Sequence, residues 1–293
     1  MNNVYFVAVT IIWTIRKNKL IDKSKFEIQR GGNMEKSNKS SLPIAVIDSG
    51  VGGISVLREL IKIMPHENYV YFGDSKNAPY GSKDRSEVLE ITRNNLKMLQ
   101  DRGIKALVVA CNTATSAAVR ILREENPDLV IVGIEPAIKP PAVTLDNPRI
   151  LVMATPLTLK EEKFKRLVAQ YADRAEIIPL PCHRLAELVE SGNIDSTEID
   201  DYVASLLEPY RDKNIDALVL GCTHYPHVRE TIERHISQNV QIFDGGEGTA
   251  RETRRRLEAA DLLCPEDQIG IIEIYNSSND EKMIELSKKL LYK

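Results

Sequence analysis

Two cysteines stand in matching contexts and could act as a pair of acid/base groups. Cys111 follows the apolar run 106–110, and Cys222 follows a similar run at 217–221. A cysteine at the carboxyl end of a buried parallel strand stands where open α/β sheets bind their ligands, and the N-terminus of a following helix favours its thiolate form. Two such cysteines predict matched acid/base groups that face one substrate.

Two other interpretations of these side chains are open. Cys222, His224, His227, Cys182 and His183 could suggest zinc, but their spacing contains neither the Cys-x-x-Cys nor the His-Glu-x-x-His pattern. A free cysteine is also commonly a small buried hydrophobe. Because the whole polar context is duplicated around the two strand ends, we predict catalysis there, no metal, and a structural or incidental role for Cys182.

A glycine-rich loop follows the first predicted strand. It contains Gly50, Gly52 and Gly53, but Ser55 stands where a Gly-x-Gly-x-x-Gly nucleotide fingerprint needs its last glycine. The sequence also lacks the Gly-Lys-Ser/Thr phosphate loop. The loop is either a tight strand-to-helix turn or the frame of a ligand site that uses Asp48 and its neighbour at the strand end.

Alternating strand and helix patterns predict an α/β fold with mostly parallel sheets. The order of elements repeats along the chain, which indicates two pseudo-symmetric, doubly wound parallel-sheet domains with the active site in the cleft between them. We predict a first domain from 42–135 plus 245–293 and a second from 136–244. The predicted strands are 44–48, 69–72, 106–110 and 130–134 in the first half, then 150–154, 176–180, 217–221 and 241–244. The predicted helices include 54–64, 86–100, 114–123 and 249–260.

Composition narrows the class of protein. The chain has 293 residues, 43% of them hydrophobic, and a formal net charge of −3, which fits a globular protein with a large core. Residues 1–33 carry six Lys/Arg and two Asp/Glu, so the remainder is clearly acidic and offers nucleic acid no basic face. Four widely spaced cysteines do not form a disulfide framework, which favours a reducing, cytoplasmic location.

The N-terminal segment 1–41 is predicted to be a non-native or disordered extension. Its apolar run at 4–15 is shorter than the ~20 residues that span a bilayer, and its basic residues follow the run, unlike those of a secretory signal. Arg-Gly-Gly at 30–32 is what a purine-rich ribosome-binding site spells when translated. We therefore expect the true start at Met34, with a real but poorly ordered tail as the alternative.

Five motifs resemble those of bacterial glutamate racemases, within the aspartate/glutamate racemase family. They occur in the family's order over residues 42 to about 260. The Asn-Thr-Ala-Thr and Thr-His-Tyr-Pro continuations after the cysteines resemble the glutamate branch. The motifs are Asp-Ser-Gly-Val-Gly-Gly at 48–53, Tyr-Gly-Ser at 80–82, Cys-Asn-Thr-Ala-Thr at 111–115, Glu-Pro-Ala at 135–137 and Gly-Cys-Thr-His-Tyr-Pro at 221–226.

The resemblance implies a role for each matching residue. Cys111 and Cys222 correspond to the two proton donor/acceptors, Asp48 and His224 to their polar assistants, and Glu190 to a further helper on the second side. Backbone N–H groups at 112–113 and 223 could hold the substrate α-carboxylate. No cofactor or metal is then required, and a homodimer is implied. The implied substrate-binding residues are Asp48, Ser49, Tyr80, Gly81, Asn112, Thr113, Thr223 and His224.

The chain departs from the family pattern in two segments. Residues 180–190 differ from the family's proline-rich phrase, and 244–251 is glycine-rich where a small polar residue and alanine are more common. The expected function is cofactor-independent racemisation of glutamate, which supplies D-glutamate for peptidoglycan. The alternatives are a racemase for aspartate or another acidic amino acid, and a two-lobed amino-acid-binding regulatory protein without turnover.

Overall fold

The computed structural model describes residues 8–12, 39–266 and 270–293. Most of the predicted N-terminal extension, including the expected start at Met34, lies outside the described residues. Within that extension, residues 8–12 form a short strand, β1 (Ala8–Ile12). No helix in the described part of the chain combines the length and the apolar character needed to cross a bilayer.

The first sheet has six strands in the order β1-β10-β3-β2-β4-β5. Its neighbouring strands are parallel except for the antiparallel pair of β1 with β10. Every residue of β2, β3 and β4 is buried, as expected for strands covered by helices on both faces. The strands are β2 (Ile44–Asp48), β3 (Tyr69–Gly73), β4 (Ala106–Val109), β5 (Val130–Gly133) and β10 (Ile271–Asn276).

The second sheet repeats this arrangement. Its four strands are fully parallel in the order β7-β6-β8-β9, which matches the order β3-β2-β4-β5 of the first sheet. The predicted fold class, two pseudo-symmetric parallel-sheet units, is confirmed, whereas the domain boundaries stay predictions. The strands are β6 (Arg149–Ala154), β7 (Glu176–Pro181), β8 (Ala217–Leu220) and β9 (Gln241–Asp244).

Helices cover the sheets. In the first half they are α1 (Ile54–Ile63), α2 (Arg85–Arg102) and α3 (Asn112–Glu125). In the second half they are α4 (Lys139–Thr144), α5 (Pro156–Lys160), α6 (Glu162–Tyr171), α7 (Leu185–Glu190), α8 (Thr197–Leu207) and α9 (Arg229–Arg234). The tail adds α10 (Gly246–Ala259) and α11 (Glu281–Tyr292). Helix α10 packs on α1, as predicted, so the chain returns to the first sheet after completing the second.

One hydrophobic cluster joins the two halves. It includes Leu57 and Leu60 of α1, Leu151 and Met153 of β6, and Leu257 of α10, all of which are buried. Helix α1 buries an apolar stripe at helical spacing, and its Ser55 Oγ donates to the carbonyl of Thr223 at 2.9 Å. The apolar cluster therefore extends through both halves of the molecule.

The tail contains a strand that the sequence analysis missed. The sequence pattern beyond residue 244 predicts the helix 249–260 and no strand, yet β10 inserts beside β3 as a parallel strand of the first sheet. Its burial alternates along Ile271–Asn276, with Ile272, Ile274 and Asn276 on the buried face. The short alternating pattern was obscured by the helices on both sides of it.

The buried ion pair between Lys105 and Glu67 yields a stability prediction. The side chains of Lys105 and Glu67 are only 1% and 2% exposed, and the ammonium also donates to the carbonyl of Leu262 at 2.8 Å. Lys105→Met leaves the carboxylate buried without its cation, so we expect the free energy of unfolding to fall by about 3–5 kcal/mol. Urea unfolding measures this loss.

Lys165→Met is the matched control for this substitution. Lys165 pairs with Glu162 at 2.6 Å, but both side chains are more than half exposed, so solvent screens the pair. We expect little change in the urea midpoint for this variant. Equal effects of the two substitutions would contradict the importance of the buried pair.

Candidate active site

Cys111 lies between strand β4 and helix α3, where it caps the helix. Its Sγ accepts a hydrogen bond from the backbone N–H of Ala114 at 3.5 Å, and its thiol donates to Ser49 Oγ at 3.9 Å. Burial and the nearby Asp48 carboxylate nevertheless raise the pKa of the Cys111 thiol to about 12. The helix N–H of Ala114 favours the thiolate, as expected, but desolvation outweighs it and the net effect on the pKa of Cys111 is a rise.

Cys222 lies at the equivalent place after β8, but its surroundings differ. A helix was expected to start directly after it; instead the chain makes a 3₁₀ turn at Tyr225–Val228, and α9 begins only at Arg229. The expectation of a helix start directly after Cys222 is therefore wrong. The partner of the Cys222 sulfur is the His224 imidazole, whose Nδ1 is 3.6 Å from Sγ.

Both cysteines line one cavity between the two sheets. Its volume is about 860 Å³, large enough for an amino acid together with water. Cys111 comes from the first sheet and Cys222 from the second, so the two sulfurs reach the same space from different halves of the molecule. The other predicted site residues that line it are Ser49, Tyr80, Gly81, Asn112, Thr113, Glu190, Thr223 and His224.

His224 is held between a sulfur and a carboxylate. Its Nε2 is 2.6 Å from Glu190 Oε1, and the residue is only 3% exposed. Burial alone would lower the pKa of His224, but the hydrogen bonds and charges of Cys222 and Glu190 raise it well above its usual value. Burial alone would raise the pKa of Glu190, but the hydrogen bond and charge of His224 outweigh burial, so the pKa of Glu190 is lowered. An imidazolium therefore stands between the Cys222 sulfur and the Glu190 carboxylate.

Asp48 ends strand β2 beside the glycine loop. Its carboxylate accepts hydrogen bonds from Gly50 N at 3.1 Å and from Thr223 Oγ1 at 3.0 Å, which joins the two halves of the site. Burial raises the pKa of Asp48, while His224 opposes this rise. Asp48 thus places a buried acidic group close enough to Cys111 to influence that thiol.

The wall opposite the glycine loop is polar. The Tyr80 hydroxyl donates to Asp74 at 2.6 Å, and burial together with Asp74 raises the pKa of Tyr80. Asn112 and Thr113 begin helix α3, and the Asn112 side-chain oxygen is buried without a hydrogen-bond partner among residues 39–266 and 270–293. Such an unpaired acceptor next to a cavity is suited to a ligand that carries N–H donors.

The glycine loop brings the two halves of the site into contact. A Cβ atom on Gly50 would lie 1.8 Å from Glu190 Oε1, and one on Gly52 would lie 2.5 Å from His224 Nδ1. The backbone N–H of Val51 also donates to Glu190 Oε1 at 2.7 Å. Of the two interpretations of this loop, the structure favours the ligand-site frame, because the missing side chains let His224 and Glu190 approach the backbone.

The neighbouring histidine has a different role. Burial lowers the pKa of His227 to about 3, so its ring is neutral, and its Nε2–H donates to the carbonyl of Gly52 at 3.0 Å. His227 therefore fixes the loop from the opposite side to His224. Cys182 lines the cavity and its thiol faces the carbonyl of Leu180 at 3.6 Å, while its role stays a prediction.

Three threonine hydroxyls form a cluster that the sequence analysis only partly found. Thr113 Oγ1 is 3.2 Å from both Thr155 Oγ1 and Thr158 Oγ1, and all three residues line the cavity. Thr155 directly follows strand β6, which is the counterpart of β2 in the second sheet, so Thr155 is the counterpart of Ser49. The rule that ligand chemistry lies at the carboxyl ends of parallel strands, which pointed to Asp48 and Ser49, could have found Thr155 as well.

Comparisons with known proteins support one family. Residues 44–253 match the sequence profile described as Asp/Glu/Hydantoin racemase. The glutamate racemase of Clostridium botulinum (strain Alaska E43 / Type E3) is 49% identical over 258 residues, which cover 88% of this chain and 99% of that protein. The glutamate racemase of Clostridium perfringens (strain SM101 / Type A) is 47% identical over 249 residues, or 85% and 96% of the two chains.

Two solved structures share the fold. The glutamate racemase of Francisella tularensis, in complex with D-glutamate, has a TM-score of 0.75 at 27% identity and covers 87% of this chain and 95% of its own. That of Escherichia coli, in complex with L-glutamate and the activator UDP-MurNAc-ala, has a TM-score of 0.70 at 32% identity and covers 77% and 85%.

The fold and the paired-cysteine cleft, together with these relatives, define an isomerase of the amino-acid racemase class. The chain belongs to the Asp/Glu/Hydantoin racemase family.

The contact between Glu190 and His224 gives a prediction about proton affinity. Glu190→Gln removes the negative charge at 2.6 Å from Nε2, so we expect the pKa of His224 to fall. Glu187→Gln, an exposed substitution one turn earlier on the same helix, is the control and should leave that pKa unchanged. NMR titration of the imidazole resonances measures both. An unaltered His224 pKa in Glu190→Gln would contradict the pairing.

Crowding at Gly52 gives a second prediction. Gly52→Ala places a methyl group against His224 Nδ1, so we expect the free energy of unfolding to fall by about 1–3 kcal/mol. Gly248→Ala, in helix α10 with open space around its Cα, should instead stabilise the protein by about 0.5–1 kcal/mol. Urea unfolding of both variants tests the opposite signs, and a tolerated Gly52→Ala would argue against close packing here.

Proposed function

We propose that the protein is a cofactor-independent glutamate racemase that interconverts L- and D-glutamate with two cysteines. The observation that carries this proposal is that Cys111 and Cys222, contributed by different sheets, line the same cavity. Inverting an α-carbon requires that a proton leaves one face and another arrives at the opposite face. Two acid/base groups on opposite sides of a ligand can do this, whereas one fixed group cannot.

The protonation of the two sides follows from their surroundings. The pKa of about 12 keeps Cys111 as a thiol in the free protein. The imidazolium of His224 at 3.6 Å stabilises negative charge on the Cys222 sulfur. The Cys222 thiolate takes the α-proton from one enantiomer, and the electron pair left on carbon is delocalised into the carboxylate. The Cys111 thiol then donates its proton to the opposite face.

The reverse direction requires that the protons are redistributed first. The other enantiomer presents its α-hydrogen to Cys111, which must then be the thiolate while Cys222 carries the proton. A bound substrate ammonium group near Cys111 and Asp48 supplies positive charge that favours this state. Asp48 and His224 are thus the proposed polar assistants of the two cysteines, and Glu190 holds His224 charged.

The polar groups around the cavity support an acidic amino acid as the substrate. The unpaired Asn112 oxygen can accept from the substrate ammonium group, and backbone N–H groups at 112–113 and 223 can hold the α-carboxylate. The hydroxyls of Thr113, Thr155 and Thr158 offer donors to a second carboxylate. Ser49, Tyr80, Gly81 and Thr223 complete the proposed binding residues.

The wider assignment follows from the sequence and the relatives. We propose a cytoplasmic location, because the four widely spaced cysteines suit a reducing compartment, and a role in supplying D-glutamate for peptidoglycan, cell wall biogenesis and cell shape, which the resemblance to glutamate racemases implies. We also propose a homodimer, no role for nucleic acid or a membrane, and no cofactor or metal, since the two thiols provide the acid and the base.

Hydrogen exchange at the α-carbon tests the function. Enantiopure glutamate is incubated with the protein in deuterated water while proton NMR and optical rotation are followed. Exchange of the α-hydrogen with loss of rotation supports racemisation. Faster turnover of aspartate in a parallel assay would favour the related racemase activity, and tight binding without exchange would favour a regulatory binding protein.

Substitution of the cysteines tests the two-base mechanism. Cys111→Ser and Cys222→Ser should each lower kcat/KM for racemisation by at least about 100-fold, because a serine hydroxyl is a far weaker acid than a thiol. Cys264→Ser is the control. Cys264 lies outside the cavity and its thiol donates to the carbonyl of Ser40 at 2.9 Å, which serine can also do. Full activity of either site variant would refute the mechanism.

A further inference from the structure

The last strand of the chain reaches the active site through two polar side chains. Asn276 is the final residue of β10 and is 1% exposed, and its Nδ2 donates to Ser75 Oγ at 2.9 Å. Ser75 Oγ in turn donates to Glu190 Oε2 at 3.4 Å. Strand β10 lies beyond residue 253, where the match to the family profile ends, so neither the sequence motifs nor the profile assigns a role to Asn276.

The orientation of the Asn276 amide is set by its neighbours. Its Oδ1 accepts from both the backbone N–H and the hydroxyl of Ser278, at 2.9 and 2.7 Å. The NH₂ group must therefore point toward Ser75. Because Asn276 occupies a lone pair of the Ser75 hydroxyl, the proton of that hydroxyl is left for Glu190.

The Glu190 carboxylate is thereby held at both oxygens. Oε1 accepts from Val51 N at 2.7 Å and from His224 Nε2 at 2.6 Å, and Oε2 accepts from Ser75. Contacts at Oε1 alone would leave the carboxylate plane free to rotate about the side-chain bond. The contact with Ser75 removes that freedom and fixes the direction from which Glu190 meets His224.

We propose that Ser75 and Asn276 are positioning residues for proton transfer at Cys222. They act through Glu190 and His224, which gives the order Asn276, Ser75, Glu190, His224, Cys222. This inference rests on the proposed racemase function. The direct hydrogen-bond partners of Cys111 are Ser49 and Ala114, which do not belong to this series of contacts. Loss of either positioning residue should therefore slow one of the two proton transfers selectively.

Isotope effects can separate the two sides. Enantiomers have equal free energies in water, so kcat/KM for L- and D-glutamate must stay equal in every variant, and rates alone do not reveal which thiol is impaired. Each enantiomer is deprotonated by one cysteine and reprotonated by the other. When transfer at Cys222 slows, the α-deuterium isotope effect on kcat/KM grows for the enantiomer that Cys222 deprotonates. It shrinks for the other enantiomer, whose slow step becomes proton return.

The variants follow from the contacts. Ser75→Ala should lower kcat/KM about fivefold for both enantiomers and move their isotope effects in opposite directions. Asn276→Leu should change the two isotope effects in the same pattern as Ser75→Ala. Ser75→Thr, which keeps a hydroxyl, should restore the original isotope effects. Ser277→Ala is the matched control in the same turn, because its hydroxyl accepts from Lys76 N at 3.0 Å and does not face Glu190.

A second readout makes the result independent of turnover. The His224 imidazole resonances of the unliganded protein should shift in Ser75→Ala and stay unchanged in Ser277→Ala. If the unmodified protein racemises glutamate but Ser75→Ala leaves the isotope effects and the His224 resonances unchanged, the positioning role is overturned. An unmodified protein without turnover would contradict the proposed function instead, and the resonances would then show only whether Ser75 orients Glu190 against His224.

Discussion

The site depends on one constraint. The glycine loop of the first half lies in close contact with the His224 and Glu190 pair of the second half. In this loop, the backbone N–H of Val51 donates to Glu190 at 2.7 Å, and the carbonyl of Gly52 accepts from His227 Nε2–H at 3.0 Å. Thr223 adds a hydrogen bond to Asp48 at 3.0 Å. These bonds cross between the halves, so the relative placement of the two sheets and the geometry of the two thiols are set together.

Duplication of the fold does not make the two sides of the site chemically alike. Cys111 caps a helix yet is held as a thiol by burial and by Asp48, whereas Cys222 follows a strand end with no helix and lies beside an imidazolium. The two sulfurs therefore have different surroundings. The proposed proton exchange between two faces needs such a difference, because one group must begin as base while the other begins as acid.

The sequence predicted the strands and the strand-end residues well, for a physical reason. Buried parallel strands are short apolar runs, so the predicted bounds of 44–48 and 241–244 agree with the structure to the residue. The rule that ligand chemistry lies at the carboxyl ends of parallel strands pointed to Asp48, Cys111 and Cys222. Motif resemblance placed His224 and Glu190 on the list, but their mutual contact depends on how two distant segments fold together. Ser75 and Asn276 left no local signal, since each matters only through its neighbour in space.

Errors arose where local pattern and tertiary setting disagree. The apolar strand and polar continuation at Cys222 imitate those at Cys111, yet the turn at Tyr225–Val228 replaces the expected helix start. Strand β10 alternates weakly between two helices, and its neighbour β3 decides its conformation. Hydrophobic periodicity predicts the conformation of one segment from that segment alone. The conformation of these two segments depends on contacts with residues far away in the chain.

The place of β10 in the first sheet has a consequence for biosynthesis. All strands of the second sheet lie within residues 149–244, so that sheet can assemble as soon as this stretch has left the ribosome. The first sheet must wait for Ile271–Asn276, which are synthesised after every strand of the second sheet. Until they arrive, β3 presents an open edge and Ser75 lacks its amide partner. A nascent chain therefore carries Cys111 and Cys222 before β10 completes the first sheet.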